Sequence, residues 1–469
     1  MMKKIVFFLI LTSCAVGPDY VPEMTFDDYS IQKTIGLNED NKDFNNFSPY
    51  DFNDEILNTF MDEVQEKSPT IQVALLRLKQ ARENLRITSK NAFPMFDITG
   101  KYNFINESKN MGIVFDSNYY QVGLDMNWEI DIFGKTRRQK EASKAQFLAE
   151  IYNLKNINVS LVAEVATNYV NLKNIEQQLE YANENYLIEE GVYNLVNDQY
   201  KVDLADEISL SQAKYLMETT KMSIPKLEFE REKYIASLAL LLGRLPNEIV
   251  EYLNENGGEN LVNKTFNYDI EKLYDIPVTV IRNRPDVKIA EENLIAQNAN
   301  IGVAVSEFYP SISLAGFFGL QSLKWSNLAE SNSKSHSFVP VVSLPLFHWG
   351  QLNSNVKIQE LMKEEKFIEY KNTILLAINE IKSSIVGVID EYKINKSAKS
   401  AYENIQKATE LTWKKYKLGL VGYNDVLNAE QRRITAQTNM VNSNANLYKS
   451  LITFYKSIGG KPWIINRDK

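Results

Sequence analysis

The chain has 469 residues, 44% of them hydrophobic, and a formal net charge of −8. This acidic balance argues against a nucleic-acid partner, because phosphate binding needs clustered Lys and Arg. The single cysteine, Cys14, excludes disulfides within the chain and cysteine-based metal sites. Beyond the N-terminus, no run of about 18 apolar residues predicts a transmembrane helix. Outer-membrane strands are not excluded, since their alternating residues keep the bulk hydropathy low.

The N-terminus has the pattern of an export signal. Met1–Lys4 is basic, Ile5–Leu11 is apolar, and the sequence Leu-Thr-Ser-Cys ends at Cys14. That ending is similar to a bacterial lipobox, in which the Cys becomes the lipid-modified first residue of the mature chain. We therefore expect a signal over residues 1–13 and a covalent lipid on Cys14, with no other cofactor. The alternative is a lone Cys within an ordinary signal.

Two helical tracts are predicted in the first half of the chain. Residues 14–50 are polar and rich in Asn and Asp, which predicts an extended arm. Helix formers dominate from about Asp54 to Lys90 and again from about Lys135 to Tyr200. In the second tract, Asn158 and Asn168 fill two of nine consecutive heptad core positions, and the other seven are apolar. This pattern predicts coiled-coil packing with buried polar residues in a helix on the order of 100 Å long.

Between these tracts the sequence alternates with the period of a strand. In Tyr120–Asp131 every second residue is apolar and the others are polar or Gly, and Phe96–Phe104 alternates in the same way. We predict a β-hairpin over 96–131 with strands of about ten residues, long enough to cross a bilayer when tilted. Ile312–Leu320 and Phe338–Leu344 predict a second hairpin, over 311–346. Pro340 and Pro345 predict local irregularity in its last strand.

The chain repeats itself at an offset of 216 residues. Pro69, Pro94, Pro246, Gly100, Gly134 and Gly243 recur as Pro285, Pro310, Pro462, Gly316, Gly350 and Gly459. Because Gly and Pro restrict backbone geometry, the same path is predicted twice. The predicted segments are a signal at 1–13, an arm at 14–50, a first repeat at 51–246, a linker or insertion at 247–276, a second repeat at 277–462 and a tail at 463–469.

Several classes of protein fit parts of this pattern. A single hairpin would suit a soluble sheet with one buried face, but two hairpins within long heptad tracts favour a membrane barrel. Four strands cannot close a barrel, so the chain must oligomerise. A coiled-coil scaffold would explain the heptads but neither the hairpins nor the lipobox. Only His336 and His348 are present, and no nucleophile elbow, phosphate loop or metal-ligand spacing occurs, so we expect no enzyme.

Four motifs carry a family resemblance that spans nearly the whole chain. Cys14–Pro22 resembles the mature N-terminus of a lipoprotein, Trp128–Lys135 and Pro345–Gly350 resemble a pair of strand-to-helix signatures, and Tyr416–Val421 resembles a helix-turn motif. In these motifs the chain resembles the outer-membrane efflux proteins (TolC-like), in particular their NodT-type lipoprotein branch.

The resemblance implies a mixed α and β fold and a homotrimer. Four strands per chain would make a twelve-stranded transmembrane β-barrel, continuous with a long periplasmic α-helical barrel. The implied location is the outer membrane of a Gram-negative bacterium, in contact with its lipid. The implied partners are a periplasmic adaptor protein and an inner-membrane transporter. The chain would be the passive exit duct for drugs, metals or other small solutes. The alternative is a structural coiled-coil envelope lipoprotein without channel activity.

The resemblance also points to the two helix turns, with tip residues Asp203, Asp206, Gly419 and Gly422. Asp203 stands where the family usually has Gly, which predicts a different turn geometry or different adaptor contacts.

The residues that narrow the periplasmic end in the family match Asn424, Asp425 and Asn428. Their spacing of three and four places them on neighbouring faces of a helix. A ring of carboxylates in a narrow pore favours cations. Asn428, where relatives often carry Asp, predicts a less charged constriction. The alternative is that all three are ordinary solvated helix residues.

Overall fold

The computed structural model describes residues 15–22, 47–105, 110, 118–257, 260–263 and 279–460. The chain divides into two units. The sheet unit comprises Met1–Met24, Arg77–Ile151 and Ile289–Asn372, and the helical unit comprises Thr25–Leu76, Tyr152–Lys288 and Thr373–Lys469. The predicted signal, Cys14 and the C-terminal segment from residue 461 lie outside the described residues.

The elements repeat in the same order in both halves. The helices are α1 Glu55–Lys67, α2 Pro69–Lys90, α3 Lys135–Lys201, α4 Glu207–Leu242, α5 Pro246–Glu255, α6 Thr279–Asn283, α7 Pro285–Ser306, α8 Gln351–Lys417 and α9 Tyr423–Ser457. The strands are β1 Met95–Asn103, β2 Tyr119–Ile130, β3 Ser311–Ser322 and β4 Lys334–Ser343.

The four strands form one antiparallel sheet in the order β1-β2-β3-β4. The register places Ile98 beside Leu124 and Leu124 beside Phe318. All three are exposed, so one face of the sheet is apolar. On the alternate positions, Asp125 accepts hydrogen bonds from Thr99 Oγ1 at 2.7 Å and Lys101 Nζ at 2.9 Å. The predicted alternation of apolar and polar residues therefore matches the two faces.

The last strand is more regular than its prolines predict. β4 runs without a break through Pro340, which pairs with Leu314 of β3. β4 is the terminal strand of the sheet, so one of its sides has no partner strand among the residues that the structure describes. A proline, which lacks the N–H donor, is tolerated at such an edge. Pro345 lies beyond the end of the strand.

The first predicted helical tract consists of two helices. Ser68, between α1 and α2, has an extended ψ of 133° because it precedes Pro69. The end of the predicted extended arm is also packed, since Phe47 is buried and Pro49–Phe52 forms a 3-10 helix. The ring of Phe52 meets Tyr448 edge-on at 4.8 Å.

The core along α3 is wider than a two-position heptad seam. Leu161, Val165 and Leu172 are buried as predicted, and so are Val162 and Tyr169. The two heptad asparagines differ from each other. Asn158 Nδ2 donates to Gln65 Oε1 at 3.0 Å. Asn168 Nδ2 donates to the Glu164 carbonyl of its own helix. Both asparagines are half-buried, and their role in setting the register stays a prediction.

Parts of the two predicted connecting segments are packed. In the 247–276 linker, α5 buries Ile249 and Leu253, and a 3-10 turn buries Leu261 and Val262. Its residues 264–276 lie outside the described ranges. Near the N-terminus, Val16 N donates to Phe133 O at 3.0 Å, and the buried Arg138 bonds the carbonyls of Val16 and Gly17.

Among the described helices, α8 has an apolar window. Eighteen of its residues have a mean hydropathy of 1.3, which by length and composition is enough to cross a membrane. The window is not the unbroken apolar run that the sequence analysis excluded, because polar residues such as Asn379 and Ser383 interrupt the apolar residues of α8. In addition, 39% of the window is buried inside the structure, and Ala377, Ile381 and Ile385 belong to the core. A core helix passes the same test, so composition here is weak evidence for a membrane span.

Candidate functional site

The helix turn that joins α3 to α4 closes with two backbone hydrogen bonds. Leu204 N donates to Gln199 O at 2.8 Å, and Asp203 N donates to Tyr200 O at 3.1 Å. This pair of bonds is the Schellman closure, which requires a left-handed residue after the helix. Asp203 takes that conformation with φ of 59°. Asp is one of the few residues other than Gly that adopt it readily.

The turn between α8 and α9 has the same closure 216 residues later. Leu420 N donates to Lys415 O at 3.0 Å, and Gly419 N donates to Tyr416 O at 2.9 Å. Gly419 has φ of 70°, close to the value at Asp203. The prediction that Asp203 changes the geometry of the turn is therefore wrong. The two turns share a backbone and differ in side chains.

A carboxylate caps the helix that follows each turn, but from a different position. Before α4, Asp206 Oδ1 accepts from Ser209 N at 2.8 Å. Hydrogen bonds from the Ser209 hydroxyl and then from its backbone N–H lower the pKa of the Asp206 carboxyl. Before α9, the N-cap residue is Gly422, and Asp425 Oδ2 accepts from Gly422 N at 3.2 Å. The acidic cap has thus moved three residues along, into the first turn of the helix.

The first two turns of α9 separate polar from apolar residues. Asn424, Asp425 and Asn428 are all exposed. The residues between them are buried, in a cluster that joins α9 to α3 and α4; its members are Tyr423, Val426, Leu427, Val196, Ala213 and Leu216. The structure therefore brings the three predicted gate residues together on the exposed side of a helix whose other side is packed.

Further along α9, a polar network ties this helix to its neighbours. Glu430 accepts from Trp413 Nε1 of α8 at 2.6 Å and from Arg433 Nε at 2.7 Å. Arg433 Nη2 also donates to Asn185 Oδ1 of α3 at 2.8 Å, and Asn185 Nδ2 donates to Gln437 Oε1 at 3.2 Å. Nearer the turn, Tyr416 donates to Gln199 Oε1 at 3.2 Å.

The carboxylate of Glu189 lies beside this network and was missed by sequence reasoning. Glu189 is 5% exposed, and neither carboxylate oxygen has a hydrogen-bond partner. Burial raises the pKa of Glu189 to about 7. A signal was available, because continuing the heptad from Ile175 and Leu179 in steps of three and four places Glu189 at a core position.

Comparison with known proteins gives the context of this site. The family model described as outer membrane efflux protein matches the chain twice, at residues 60–244 and 276–460, with the same 216-residue offset. The chain is similar to the cation efflux system protein CusC of Escherichia coli strain K12, with 26% identity over 96% of this chain and 97% of the relative.

A second sequence relative and a solved structure are also outer-membrane proteins. The chain is 27% identical to the toluene efflux pump outer membrane protein TtgF of Pseudomonas putida, over 73% of this chain and 69% of the relative. The crystal structure of the Campylobacter jejuni CmeC outer membrane channel matches with a TM-score of 0.83 at 26% identity, over 95% of each chain.

These likenesses confirm the predicted fold class, that of trimeric outer-membrane channels with a β-barrel and an α-helical barrel. They place the protein in the outer membrane, as an efflux channel. The relatives are channel proteins rather than enzymes, and they give no support to a coiled-coil lipoprotein without channel activity. With a family model matched in both halves, the chain belongs to the outer membrane efflux protein family.

Proposed function

We propose that this channel is the exit duct of a tripartite efflux system and that Asn424, Asp425 and Asn428 form its periplasmic gate. The observation that carries this proposal is the two-sided start of α9, where these three residues are exposed and Val426 and Leu427 are buried behind them. In a homotrimer, three copies of this polar side would meet around one axis.

The chemistry of the proposed gate suits small hydrated solutes, with a preference for cations. Each chain contributes one carboxylate, Asp425, and two amides that both donate and accept hydrogen bonds. A ring of three carboxylates in a narrow pore raises the local concentration of cations. The two named relatives take their names from cations and from toluene. We propose that the attached pump selects the solute and that the duct conducts it passively.

The partners proposed are a periplasmic adaptor protein and an inner-membrane transporter, which supplies the energy. Both helix turns present large apolar residues to solvent: Val202 and Leu204 are 62% and 78% exposed, and Leu418 and Leu420 are 74% and 69% exposed. Exposed apolar residues that cluster at a turn support a protein interaction site there. The adaptor would contact both turns, which share one backbone geometry, around Asp203, Asp206, Gly419 and Gly422.

A lipid on Cys14 is part of the proposal. The next residues in the chain are held by the sheet unit, since Val16 N bonds Phe133 O next to the end of β2. A lipid attached one residue before Ala15 would anchor the chain to the membrane. The mass of the mature protein tests this directly, because Cys14→Ser would remove the acyl mass.

The gate is tested by single-channel conductance in planar bilayers. Asp425→Ala combined with Asn428→Ala should increase the conductance and reduce the preference for cations. The matched control is Ser209→Ala combined with Gln212→Ala, the positions 216 residues earlier. An Asp425 and Asn428 variant with unchanged conductance and cation preference would remove the gate assignment.

A further inference from the structure

The side chain of Glu189 is an unexplained feature of the helical unit. It lies in α3, is 5% exposed, and has no hydrogen-bond partner for either carboxylate oxygen. An ionised carboxylate without partners is costly to bury, whereas a protonated one is far less so. Buried polar groups without a partner are rare in native structures, so this carboxylate calls for a physical explanation.

The groups that face Glu189 come from two neighbouring helices. From α9, Glu430 and Arg433 act on its charge, and the phenol of Tyr423 is also near. From α4, the Thr220 hydroxyl is close but outside hydrogen-bonding geometry.

Other charged groups nearby act elsewhere. On α3, Glu190 accepts a hydrogen bond from Tyr186. On α4, Lys221 lies over the ring of Tyr186, and Glu218 raises the pKa of the Tyr186 phenol. The charges that decide the state of Glu189 are therefore those of Glu430 and Arg433.

The other repeat shows that the fold does not require a carboxylate here. The residue 216 positions after Glu189 is Ile405, and the positions equivalent to Asn185 and Thr220 hold Ala401 and Ala436. The positions 216 before Glu430 and Arg433 hold Lys214 and Met217. The polar network thus joins α3 to α9 but not the equivalent pair, α8 and α4, and α9 carries the proposed gate.

A cavity is lined by residues that neighbour this carboxylate. This cavity, of about 550 Å³, lies between α3, α4 and α9, and its lining includes Asn185, Thr220 and Gln437. Asn185 and Gln437 belong to the network, and Thr220 faces Glu189. Glu189 itself does not line the cavity, and the Thr220 hydroxyl lies between them, where it can relay a proton from Glu189 to water.

We propose that Glu189 is a proton-responsive positioning residue of the gate, which holds α9 against α3 when neutral and loosens that contact when ionised. On ionisation its proton leaves to water in the cavity. The new carboxylate is then buried without a hydrogen-bond partner and is repelled by Glu430 of α9, so a separation of α9 from α3 that hydrates it is favoured. This inference rests on the proposed gate at Asn424, Asp425 and Asn428.

The direction of the pH effect follows from burial. Burial raises the pKa of Glu189 to about 7 in the packed state, and an exposed Glu in a loosened state titrates near 4.3. A group with a raised pKa stabilises the packed state fully below its exposed pKa, and that stabilisation is lost as the pH rises through the raised value. The closed gate is therefore most stable in acid and loosens as the pH approaches and passes about 7.

The test is the open fraction of single channels from about pH 5 to about pH 8, a range that covers the raised Glu pKa. The wild-type open fraction should rise at least about threefold across this range. Glu189→Gln, a neutral isostere, should stay at the acid level at every pH. Glu184→Gln, an exposed carboxylate about one turn earlier on α3, should follow the wild type. A Glu189→Gln channel that keeps the wild-type pH profile, or a wild-type channel with no pH dependence, overturns the proposal.

A second measurement tests the proposal on the wild-type protein alone, so that it does not depend on assembly of Glu189→Gln. Infrared difference spectra of the wild-type trimer between acid and alkaline pH should contain the band of a buried protonated carboxyl that disappears near neutral pH. Its absence contradicts the inference. Failure of the gate is a separate result: Asp425→Ala with Asn428→Ala would then leave conductance unchanged, while the pH response of the wild type and its loss in Glu189→Gln would persist.

Discussion

The helix turn between α3 and α4 and the one between α8 and α9 have the same backbone geometry but different side chains. Both close with the same pair of hydrogen bonds; the bond that spans five residues runs from Leu204 N to Gln199 O in the first turn and from Leu420 N to Lys415 O in the second. The left-handed residue is Asp203 in one and Gly419 in the other. The first helix is capped by Asp206, and the second has Asp425 in its first turn. The two repeats share the backbone geometry of the turn but differ in its side chains. We expect these side-chain differences to underlie a difference in function between the two turns.

The largest effect is expected when the polar network around Arg433 is removed, because the first turn has no equivalent of this network. Arg433→Ala leaves Glu430 buried without its ionic partner, and it also removes the bond to Asn185. The loss of one member of a buried ion pair costs roughly 3 kcal/mol. We expect that decrease in the free energy of unfolding, measured by urea denaturation in detergent. Arg432→Ala, at an exposed neighbouring position, should change it by less than about 0.5 kcal/mol.

The second prediction concerns the left-handed residues. Gly419→Ala should lower the free energy of unfolding by about 1 kcal/mol, because a Cβ is disfavoured in this conformation. An added Cβ at Gly419 meets no atom within 4 Å, so backbone strain is the only cost. Asp203→Gly should stay within about 0.5 kcal/mol of the parent. Equal losses for the two variants would contradict the equivalence of the turns.

The third prediction uses the paired tyrosines before the turns. Tyr416 donates to Gln199, whereas Tyr200, 216 residues earlier, is 40% exposed. Tyr416→Phe should lower the free energy of unfolding by roughly 0.5–1 kcal/mol, the net value of one hydrogen bond. Tyr200→Phe should leave it unchanged. A larger loss for Tyr200→Phe than for Tyr416→Phe would show that the turns pack differently from the structure.

Much of the fold was accessible from local pattern. The alternation in Tyr120–Asp131 predicted β2 to within a residue at each end, and the repeated Gly and Pro residues predicted that two halves follow the same path. The break at Ser68 was missed although Pro69 implies it. Pro340 was expected to disturb β4. That expectation failed because β4 is a terminal strand, and this position follows from the order of the whole sheet, which the local sequence does not reveal.

The site was harder to predict because its contacts are remote in sequence. Arg433 and Asn185 are 248 residues apart, so no local pattern pairs them. The continued heptad places Glu189 at a core position, but the groups that face it on α4 and α9 are remote in sequence. The different turn geometry predicted at Asp203 is not found, because Asp203 adopts the left-handed conformation that the Schellman bonds require. Spacing alone placed Asn424, Asp425 and Asn428 on one side of a helix, and their exposure agrees.

Cross-linking tests the central claim, that the second turn and not the first forms the gate, most directly. Asn428→Cys and its equivalent Gln212→Cys would each introduce one thiol per chain in a Cys14→Ser background, since Cys14 is the only native cysteine. On oxidation of the assembled channel, the account predicts disulfide-linked chains for Asn428→Cys and none for Gln212→Cys on a non-reducing gel. Cross-linking of Gln212→Cys with none for Asn428→Cys, or equal cross-linking of the two, would contradict it.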